Sequence, residues 1–309
     1  MQKIKVSTIT PCFKMKPYLK KFLDELPNQT YFENLEIVLD HNEPDDEEIS
    51  WVKEFDIKYP GKIKHIIVPI VDPIGVSMNR CIKESSGELL TIWNVDDLRT
   101  SISIESQVNA IIDNNADVAI GNYNIVRKFG TKEGKLIKHE NIEPEEYKRS
   151  MVLGPFLMFK KSLCEKIGYF DEQLKSGADF CLSIRLGYSS KIAIAKDLLG
   201  YYLNEGKGAS TRPGSKQVIE RTVIELRYGI FDKIDLSFIP KTVEYSIPNL
   251  IFFGKECGVK NLIPNYTQLI ENNSKSIHKS ITTSLLLSTT KFNQLKYFIK
   301  SKIKKLILK

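Results

Sequence analysis

The sequence predicts an α/β protein with a mixed, mainly parallel β-sheet flanked by helices and a helical extension at its C-terminal end. The first hundred residues repeat a strand and then a helix four times, which is typical of a parallel sheet covered on its faces. A short apolar run at 89–93 leads into two carboxylates, Asp96 and Asp97, as a buried strand does where it leaves a sheet. A later hairpin pattern at 118–137 adds antiparallel strands and makes the sheet mixed.

The N-terminal half supplies the parallel strands. Alternating or apolar runs predict strands at 4–10, 35–39, 63–68 and 89–93. We expect the first strand to stop at Thr10, because Pro11 cannot donate to a sheet ladder. Helices are predicted over 17–26, behind the acids at 45–48, and over 75–84.

The second half alternates less regularly. A helix is predicted over 104–112, a strand over 118–126, a hairpin tip at 130–134, and strands at 155–159, 192–195 and 199–203. Ser162 and Glu165 are three residues apart, which predicts a capping box for a short helix that Gly168 ends. Helices are also predicted from Asp179 to about 186 and over 218–230.

The composition is that of an ordinary globular protein, with 309 residues, 42% hydrophobic and 27% charged. No apolar stretch is long enough to span a membrane, and the N-terminus lacks a signal-peptide pattern. The five cysteines are scattered without CxxC spacing, which favours a reducing cytosol over disulfides or zinc. The four histidines are too dispersed to suggest a metal site. The net charge of +7 is concentrated in lysines of the last twenty residues.

The acidic pair Asp96 and Asp97 carries the first functional hypothesis. In open α/β sheets, ligands bind at the carboxyl ends of the strands. Two neighbouring carboxylates repel each other unless a positive group lies between them. A hard divalent cation, Mg²⁺ or Mn²⁺, meets that need, because such ions bind one or two carboxylates together with the phosphate oxygens of a substrate. The alternative is a strand followed by an ordinary acidic turn.

Five sequence blocks, in order from about residue 4 to about residue 215, resemble the inverting family 2 glycosyltransferases. The blocks read VSTITPCFKMKPYL, LEIVLDHNEPDD, GVSMNRCIKESSGELL, NVDD and GPFLMFKKSLCEKIGYFDEQLKSGADFCLSIRL. They resemble, in turn, the first strand with its Thr-Pro, the acidic nucleoside turn, the Asn-containing helix, the DxD metal motif, and the acceptor block that ends in the catalytic Asp. The resemblance implies a GT-A (Rossmann-like) fold and a nucleotide-sugar donor.

The resemblance also implies the roles of individual residues. Asp179 is the expected general base, with a helix N-cap as its alternative role. Asp97, with Asp96 beside the metal or the donor ribose, is expected to hold the cation. Donor-binding roles fall on Thr10, Pro11, Phe13, Asp40, Asn79, Lys207 and Arg212. The alternatives are turn and core packing for Thr10 and Phe13, and a solvated basic loop for Lys207 and Arg212.

Four positions depart from the family pattern. Asn94 replaces the first Asp of DxD, and an amide is a poorer metal ligand than a carboxylate. His41 stands where the nucleoside turn usually has a second acid. Ala178 replaces a Glu before the catalytic Asp, and Asn204 replaces a His after the tyrosine-rich strand.

The domain organisation follows from these blocks. We expect a GT-A glycosyltransferase domain at 1–214, in which about 1–100 binds the nucleotide sugar and 101–214 binds the acceptor. A helical C-terminal region at 215–309 ends in a basic amphipathic helix, because apolar residues recur there at three- and four-residue steps between lysines. That helix is expected either on an anionic membrane surface or against the body or a second subunit, as in a homodimer.

The functional hypothesis is an inverting transfer of a sugar from a UDP-sugar to a glycan or lipid-linked glycan, in the cytoplasm or peripherally on the cytoplasmic face of the membrane. A nucleic-acid partner is not expected, because aromatic and basic residues are not interleaved. A nucleotidyltransferase would need a glycine-rich loop after the first strand, and TPCFKMKP has no glycine. A degenerate glycosyltransferase-like scaffold or binding protein at the membrane surface is the remaining alternative.

Overall fold

The computed structural model describes residues 4–140, 142–206, 217–228 and 230. Nine strands form one mixed sheet: β1 Val6–Phe13, β2 Leu35–Asn42, β3 Ile63–Val68, β4 Leu89–Ile92, β5 Leu98–Arg99, β6 Val118–Val126, β7 Lys135–Ile137, β8 Met158–Lys160 and β9 Ile192–Leu203. Seven α-helices accompany them: α1 Lys16–Glu25, α2 Asp46–Lys58, α3 Ile74–Glu84, α4 Ser103–Asp113, α5 Leu163–Ile167, α6 Ala178–Ser189 and α7 Gln217–Tyr228.

The strand order in the sheet is β3-β2-β1-β4-β8-β6-β9-β5, with β7 paired to β6. The pairs among β1, β2, β3 and β4 are parallel, as is β6 with β9. The pairs of β8 with β4 and β6, of β5 with β9, and of β7 with β6 are antiparallel. The predicted mixed, mainly parallel sheet flanked by helices is confirmed.

The sheet is buried on both faces, because neighbouring side chains along each strand enter opposite cores. Ile37 and Leu39 of β2 lie in a core with α1, α2 and α4, whereas Val38 between them lies in a second core with α3, α5, α6 and α7. Leu89 and Leu90 of β4 divide in the same way. This period-two alternation explains why the inner strands are apolar runs.

The prediction that β1 ends at Thr10 is wrong, because the strand continues through Pro11 to Phe13 against β2. The Ile9 carbonyl accepts a hydrogen bond from Trp93, so Ile9 and Pro11, two residues on, direct their backbone groups toward β4. Pairing with β4 stops at Ile9. Pro11 therefore lies where no partner strand needs its missing N–H.

The predicted capping box at Ser162 is also wrong, since Ser162 has helical backbone angles and its side chain makes no capping bond. A capping box exists instead at α2, where Asp45 accepts from the Glu48 N–H and Glu48 accepts from the Asp45 N–H. The two strands predicted at 192–195 and 199–203 are one strand, β9, with an irregularity opposite Gly121 and Tyr123.

Helix α7 confirms the predicted helix near 218–230 and packs into the core with α6. Its Val223, Ile224 and Tyr228 are buried with Ala178 and Cys181. The core therefore includes side chains that come after residue 214, and the predicted division into domains at that residue stays a prediction. The predicted amphipathic helix near the C-terminus lies outside the described residues. No described helix is both long and apolar enough to span a bilayer.

Candidate active site

The site lies at the edge of the sheet where the parallel strands β1, β2 and β4 end, because their carboxyl ends point the same way. The turn after β4 carries Asp96 and Asp97. The last residues of β2, Asp40 and Asn42, carry the acid and the amide of a second cluster. Strand β9 ends beside the first of these, since the Leu203 N–H donates to Asp97 Oδ1 at 3.0 Å.

Asp97 is an almost fully buried carboxylate, with 1% of the residue exposed. Its Oδ1 accepts from Leu203, and its Oδ2 accepts from the Asn94 amide at 3.1 Å. Burial, and then repulsion from Asp96, raise the pKa of Asp97 to about 8. Both oxygens are thus used to fix the turn, and Asn94 supports the carboxylate rather than replacing one as a ligand.

Arg99 lies under this turn and is the buried countercharge that sequence reasoning missed. Its guanidinium donates to Ser103, Gln107, Thr91 and the Ile92 carbonyl at 2.7–2.9 Å. It also packs over the rings of Trp93 and Phe156, at 5.3 and 4.9 Å from their centroids. Burial lowers the pKa of Arg99 to about 9, and Asp97 opposes that shift. The sequence feature that could have identified Arg99 is its position two residues after Asp97.

Asp96 is the partly exposed carboxylate of the pair and lies near Glu205. Burial first, and Glu205 second as a charge, raise the pKa of Asp96. Glu205 is held from α1, where the Tyr18 hydroxyl donates to Glu205 Oε2 at 3.2 Å. Asp96 and Glu205 therefore form a pair of acids at the edge of the site, and a cation between them would reduce their repulsion.

The residues fit a divalent cation that is shared with a substrate. The described part of the chain has no group of three or more His, Cys, Asp or Glu side chains placed to hold a metal. Asp96, however, is an accessible carboxylate that a second acid repels. A hard cation bound to one or two carboxylates and to diphosphate oxygens would relieve that repulsion.

The predicted nucleoside corner is the cluster at the end of β2, centred on Asp40. Arg80 of α3 donates to Asp40 Oδ2 at 2.6 Å and also pairs closely with Asp72. Asn42 donates to the other oxygen of Asp40, also at 2.6 Å, and accepts from the Asp72 N–H at 2.9 Å. Asp40 is fully buried, whereas the side chains of Arg80 and Asp72 are partly exposed to solvent.

Pro11 and Phe13 border this corner, because β1 pairs them with Asp40 and Asn42, and their role in donor binding stays a prediction. Phe13 is partly exposed and lies under the Lys14 ammonium, 5.0 Å from its ring centroid. Thr10 is different, since it is fully buried and donates its hydroxyl to Thr8 at 2.9 Å. This geometry is typical of a residue that packs in the core, which is the alternative role given above for Thr10.

Asn79 joins α3 to the segment of the chain that precedes α6. Its side-chain amide donates to the Phe170 carbonyl and to Glu172, both at 2.9 Å, and accepts from the Phe170 N–H at 2.9 Å. Asn79 is 3% exposed. Gly75, one turn earlier in α3, leaves room for the Asp171 carbonyl, which a Cβ there would approach at 3.1 Å.

Asp179 lies in the first turn of α6, on the segment that Asn79 and Gly75 hold against α3. The N-cap of α6 is Gly177, so the alternative role of Asp179 as an N-cap is not what the structure has. Its Oδ1 accepts from the Phe180 N–H at 2.8 Å. Burial raises the pKa of Asp179, and the charge of Glu220 raises it further against the backbone hydrogen bonds.

Glu220 of α7 is a second residue that sequence reasoning missed. Its buried carboxylate accepts from the Lys175 and Ser176 N–H groups at 2.8 and 2.7 Å, and from the Ser176 hydroxyl at 3.1 Å. It therefore fixes the loop that leads to Asp179 and also supplies the charge that faces it. Sequence spacing gives no signal for this, because 41 residues separate the two acids.

His41 contributes no negative charge beside Asp40. Its Nδ1 is 3.2 Å from His65 Nε2, and its Nε2 is 3.6 Å from Glu48. Burial lowers the pKa of His41, while burial and then His41 lower the pKa of His65 to about 4. The pair is uncharged at neutral pH. Lys207 and Arg212 lie outside the described residues, so their predicted donor-binding roles stay predictions.

The mixed sheet and the acidic turn at its carboxyl edge define an α/β fold of the GT-A type, and sequence comparison gives the family. The family model Glycosyl transferase family 2 matches residues 7–168, a little over half of the chain. The chain belongs to that family. The matched range contains the nucleoside corner and the Asp96–Asp97 turn.

Curated relatives are distant. The chain is 29% identical to glycosyltransferase GlyA of Streptococcus pneumoniae over 44% of this chain and 18% of that protein. It is 25% identical to poly(ribitol-phosphate) beta-glucosyltransferase of Bacillus spizizenii over 66% of this chain and 33% of that protein. It is also 25% identical to an uncharacterized glycosyltransferase of Rickettsia prowazekii, over 63% and 62%. The chain spans about a third or less of the length of the first curated relatives that it matches.

Among solved structures, Staphylococcus aureus TarS 1–349 in complex with UDP has a TM-score of 0.59 at 14% identity, over 98% of this chain and 90% of that one. The same fragment in complex with UDP-GlcNAc also has a TM-score of 0.59, at 16% identity over the same shares. At such low identity the likeness establishes the shared GT-A fold.

Proposed function

We propose that this chain transfers a sugar from a UDP-sugar to a hydroxyl of a glycan or lipid-linked glycan, with inversion at the anomeric carbon, during surface polysaccharide or glycoconjugate synthesis. The observation that carries the proposal is the acidic turn at Asp96–Asp97, beside the nucleoside corner, in a chain of family 2. Inversion is typical of that family, and the TarS fragment was solved with UDP and with UDP-GlcNAc.

The donor is proposed to bind along the carboxyl edge of the sheet. The nucleoside would meet Arg80 and the partly exposed ring of Phe13, while the diphosphate would lie toward Asp96. A bound divalent cation supplies the positive charge that stabilises the departing diphosphate. We assign direct contact with that cation to Asp96, because Asp97 is buried and both its oxygens hold the turn.

The acceptor is proposed to enter on the side of α6. The Asp179 carboxylate takes the proton from the acceptor hydroxyl, the acceptor oxygen forms a bond to the anomeric carbon, and the bond to the nucleoside diphosphate breaks on the opposite face. A raised pKa makes Asp179 a stronger base than an exposed carboxylate. Asn79 keeps this base in a fixed relation to the donor half. Membrane attachment and a homodimer stay predictions that rest on the sequence pattern alone.

A donor panel tests the proposal. The full chain is mixed with UDP-, GDP- and dTDP-sugars, with and without Mn²⁺ or Mg²⁺, and thermal stabilisation and donor hydrolysis are measured. We expect a cation-dependent stabilisation by a UDP-sugar with slow hydrolysis. A flat panel would contradict the enzyme and favour the scaffold.

The base is tested with Asp179→Asn, and Asp113→Asn serves as a matched control on an exposed helix end. We expect the first variant to keep donor binding and to lose transfer by about 10²–10⁴-fold, the usual contribution of a general base. The control should transfer normally. Full transfer by Asp179→Asn would remove Asp179 from the mechanism.

A further inference from the structure

A basic groove lies between the β6–β7 hairpin and the end of β9. We call it the hairpin groove. It encloses about 700 Å³, and four cations line it against one acid. Its charged and amide side chains are Arg127, Lys128, Lys132, Glu133, Lys135 and Asn204. The proposed chemistry at Asp96 and Asp179 uses none of them.

The hairpin groove has a fixed backbone. Phe129 at the tip packs edge-on against Tyr18 of α1, with ring centroids 4.8 Å apart. The Asn124 amide donates to the Lys132 carbonyl at 3.1 Å. Gly134 lies so close to Ile125 that a Cβ would come within 2.1 Å of the Ile125 carbonyl oxygen. The lysines are therefore presented from a held loop, which lowers the entropy cost of binding a ligand.

The cations in the hairpin groove are available to a ligand. Lys128, Lys132 and Lys135 are exposed and form no ion pair with any residue that the structure describes. Lys132 acts on Glu25 only through its charge, alongside the closer Lys21. Arg127 donates one N–H to the Asn204 carbonyl at 3.0 Å and keeps the rest of its guanidinium exposed.

The hairpin groove adjoins residues that contact the candidate active site. Its Asn204 donates its backbone N–H to the Val126 carbonyl at 2.9 Å, and it follows Leu203, which holds Asp97. Glu205, the next residue, is the acid that faces Asp96. A polymeric substrate that lies in the hairpin groove would therefore extend toward the carboxyl edge of the sheet, beside the residues that follow β9.

We propose that the hairpin groove binds the phosphate groups of an acceptor that is linked by phosphodiesters, and so selects an anionic polymer as the sugar acceptor. This inference rests on the proposed glycosyltransfer. Arginine and lysine donate charge-assisted hydrogen bonds to phosphate oxygens, and repeated phosphates along one chain match cations spread along one groove. The donor diphosphate is assigned to the site at Asp96, because the charges of Asp96 and Glu205 attract a cation and repel a phosphate that has no bound cation. A concave groove suits a chain better than a flat membrane surface.

The test measures direct binding, so it does not depend on turnover. The probe is a fluorescent oligomer of glycerol phosphate, with a neutral oligosaccharide of similar length as its control. The test variant is Lys128→Gln/Lys132→Gln/Lys135→Gln. The matched control is Lys53→Gln/Lys83→Gln/Lys196→Gln, which removes the same charge from exposed positions on α2, α3 and β9. Thermal melting checks that each variant is folded.

We expect the wild-type chain and the matched control to bind the phosphate oligomer with an affinity that falls steeply with salt, and to bind the neutral oligosaccharide weakly. The hairpin variant should bind the oligomer about tenfold more weakly, since each exposed pair contributes roughly half a kcal/mol. A Lys→Arg triple at the same positions should restore binding. Equal binding by the hairpin variant and the matched control would overturn the proposal.

Other anions separate the possible ligands. Tighter binding of a single-stranded RNA oligomer, or of phosphatidylglycerol vesicles, than of the glycerol phosphate oligomer would overturn the acceptor assignment. Competition by millimolar inorganic phosphate alone, without a preference for the oligomer, would do the same. If the donor panel is flat but the oligomer binds through the hairpin lysines, the groove stands and the proposed enzyme fails. The reverse pattern rejects the groove and leaves the enzyme.

Discussion

At the scale of single residues, the environment of Asp179 determines how it would act. Burial and the charge of Glu220 raise the pKa of the Asp179 carboxyl, and the hydrogen bond from the Phe180 N–H lowers it. The groups that act on it are therefore one acid and two backbone N–H donors, those of Phe180 and of Asp179 itself. A general base with a raised pKa loses activity as the pH falls through that pKa, because only its carboxylate form accepts a proton.

Glu220→Gln is expected to move the acid limb of the pH profile of kcat/KM to lower pH. The variant removes the charge that raises the Asp179 pKa, so the base stays ionised in more acidic solution but becomes weaker. Glu225→Gln is the control, because it removes another buried acid from the same helix that does not act on Asp179. If the variant lost activity without a shift of the acid limb of the pH profile, Glu220 would have only a role in folding.

Arg99→Met is expected to lower the free energy of unfolding by about 3 kcal/mol, because it leaves buried acceptors of four hydrogen bonds without a donor. Urea unfolding measures it. Arg127→Met, at an exposed position on the hairpin, is the comparison and should change stability little. An Arg99→Met protein as stable as the wild type would show that the buried guanidinium does not support the turn.

At the scale of elements, one carboxylate ties three segments together. Glu36 of β2 bonds the Ser7 hydroxyl of β1 and both the N–H and the hydroxyl of Ser86, before β4. Gly87 is required next, since a Cβ there would lie 2.6 Å from the Ser7 nitrogen. Burial opposes ionisation of Glu36, but these hydrogen bonds and Lys5 outweigh it and lower its pKa to about 2.

Glu36→Gln is expected to flatten the acid side of the stability profile. A depressed pKa gives stability that is complete above the unfolded value of 4.5 and is lost as the pH falls through about 2. Because Glu36 is partly exposed and solvent screens its charge, we expect a contribution on the order of 1–2 kcal/mol at neutral pH. Urea unfolding between pH 2 and pH 6 measures it, with the exposed Glu33→Gln as control. A wild-type profile already flat over this range would contradict the assignment.

At the scale of the whole molecule, two buried contacts join α3, the segment at 170–172 and α7. Asn79 bonds α3 to the Phe170–Glu172 segment, and Arg227 of α7 donates to Asp171 at 2.8 Å in that segment. Both partners of the ion pair are nearly fully buried. Donor and acceptor sites would therefore be held in one cooperative body that includes α7.

Breaking this buried pair from one side is expected to cost about 3–5 kcal/mol, because it strands a charge away from water. Arg227→Met should show that loss, and Arg227→Met with Asp171→Asn should recover part of it. A double-mutant cycle in urea gives the coupling. A chain ending at residue 214 should be destabilised further, since it lacks both Arg227 and Glu220. Additive single effects would mean that the pair contributes no coupling.

The sequence by itself determined the class of fold, the order of most strands and helices, and the positions of Asp96, Asp97, Asp40 and Asp179. These follow from local periodicity and from motifs that occupy a few consecutive residues. It failed at Pro11, because which side of β1 remains paired depends on the length of β4. It failed at Ser162 for a similar reason, since a helix start is set by the chain that enters it.

Only the tertiary structure decided which side chains lie close enough to change the pKa, the exposure or the hydrogen bonds of one another. The exposure that distinguishes Asp96 from Asp97, the guanidinium of Arg99 beneath them, and the reach of Glu220 to the Asp179 loop all join residues from different elements. Burial and charge depend on distances in space, and a pKa follows burial and charge. The sequence therefore supplied the chemical groups of the candidate site, and the packing of the chain set their protonation, their accessibility and their partners.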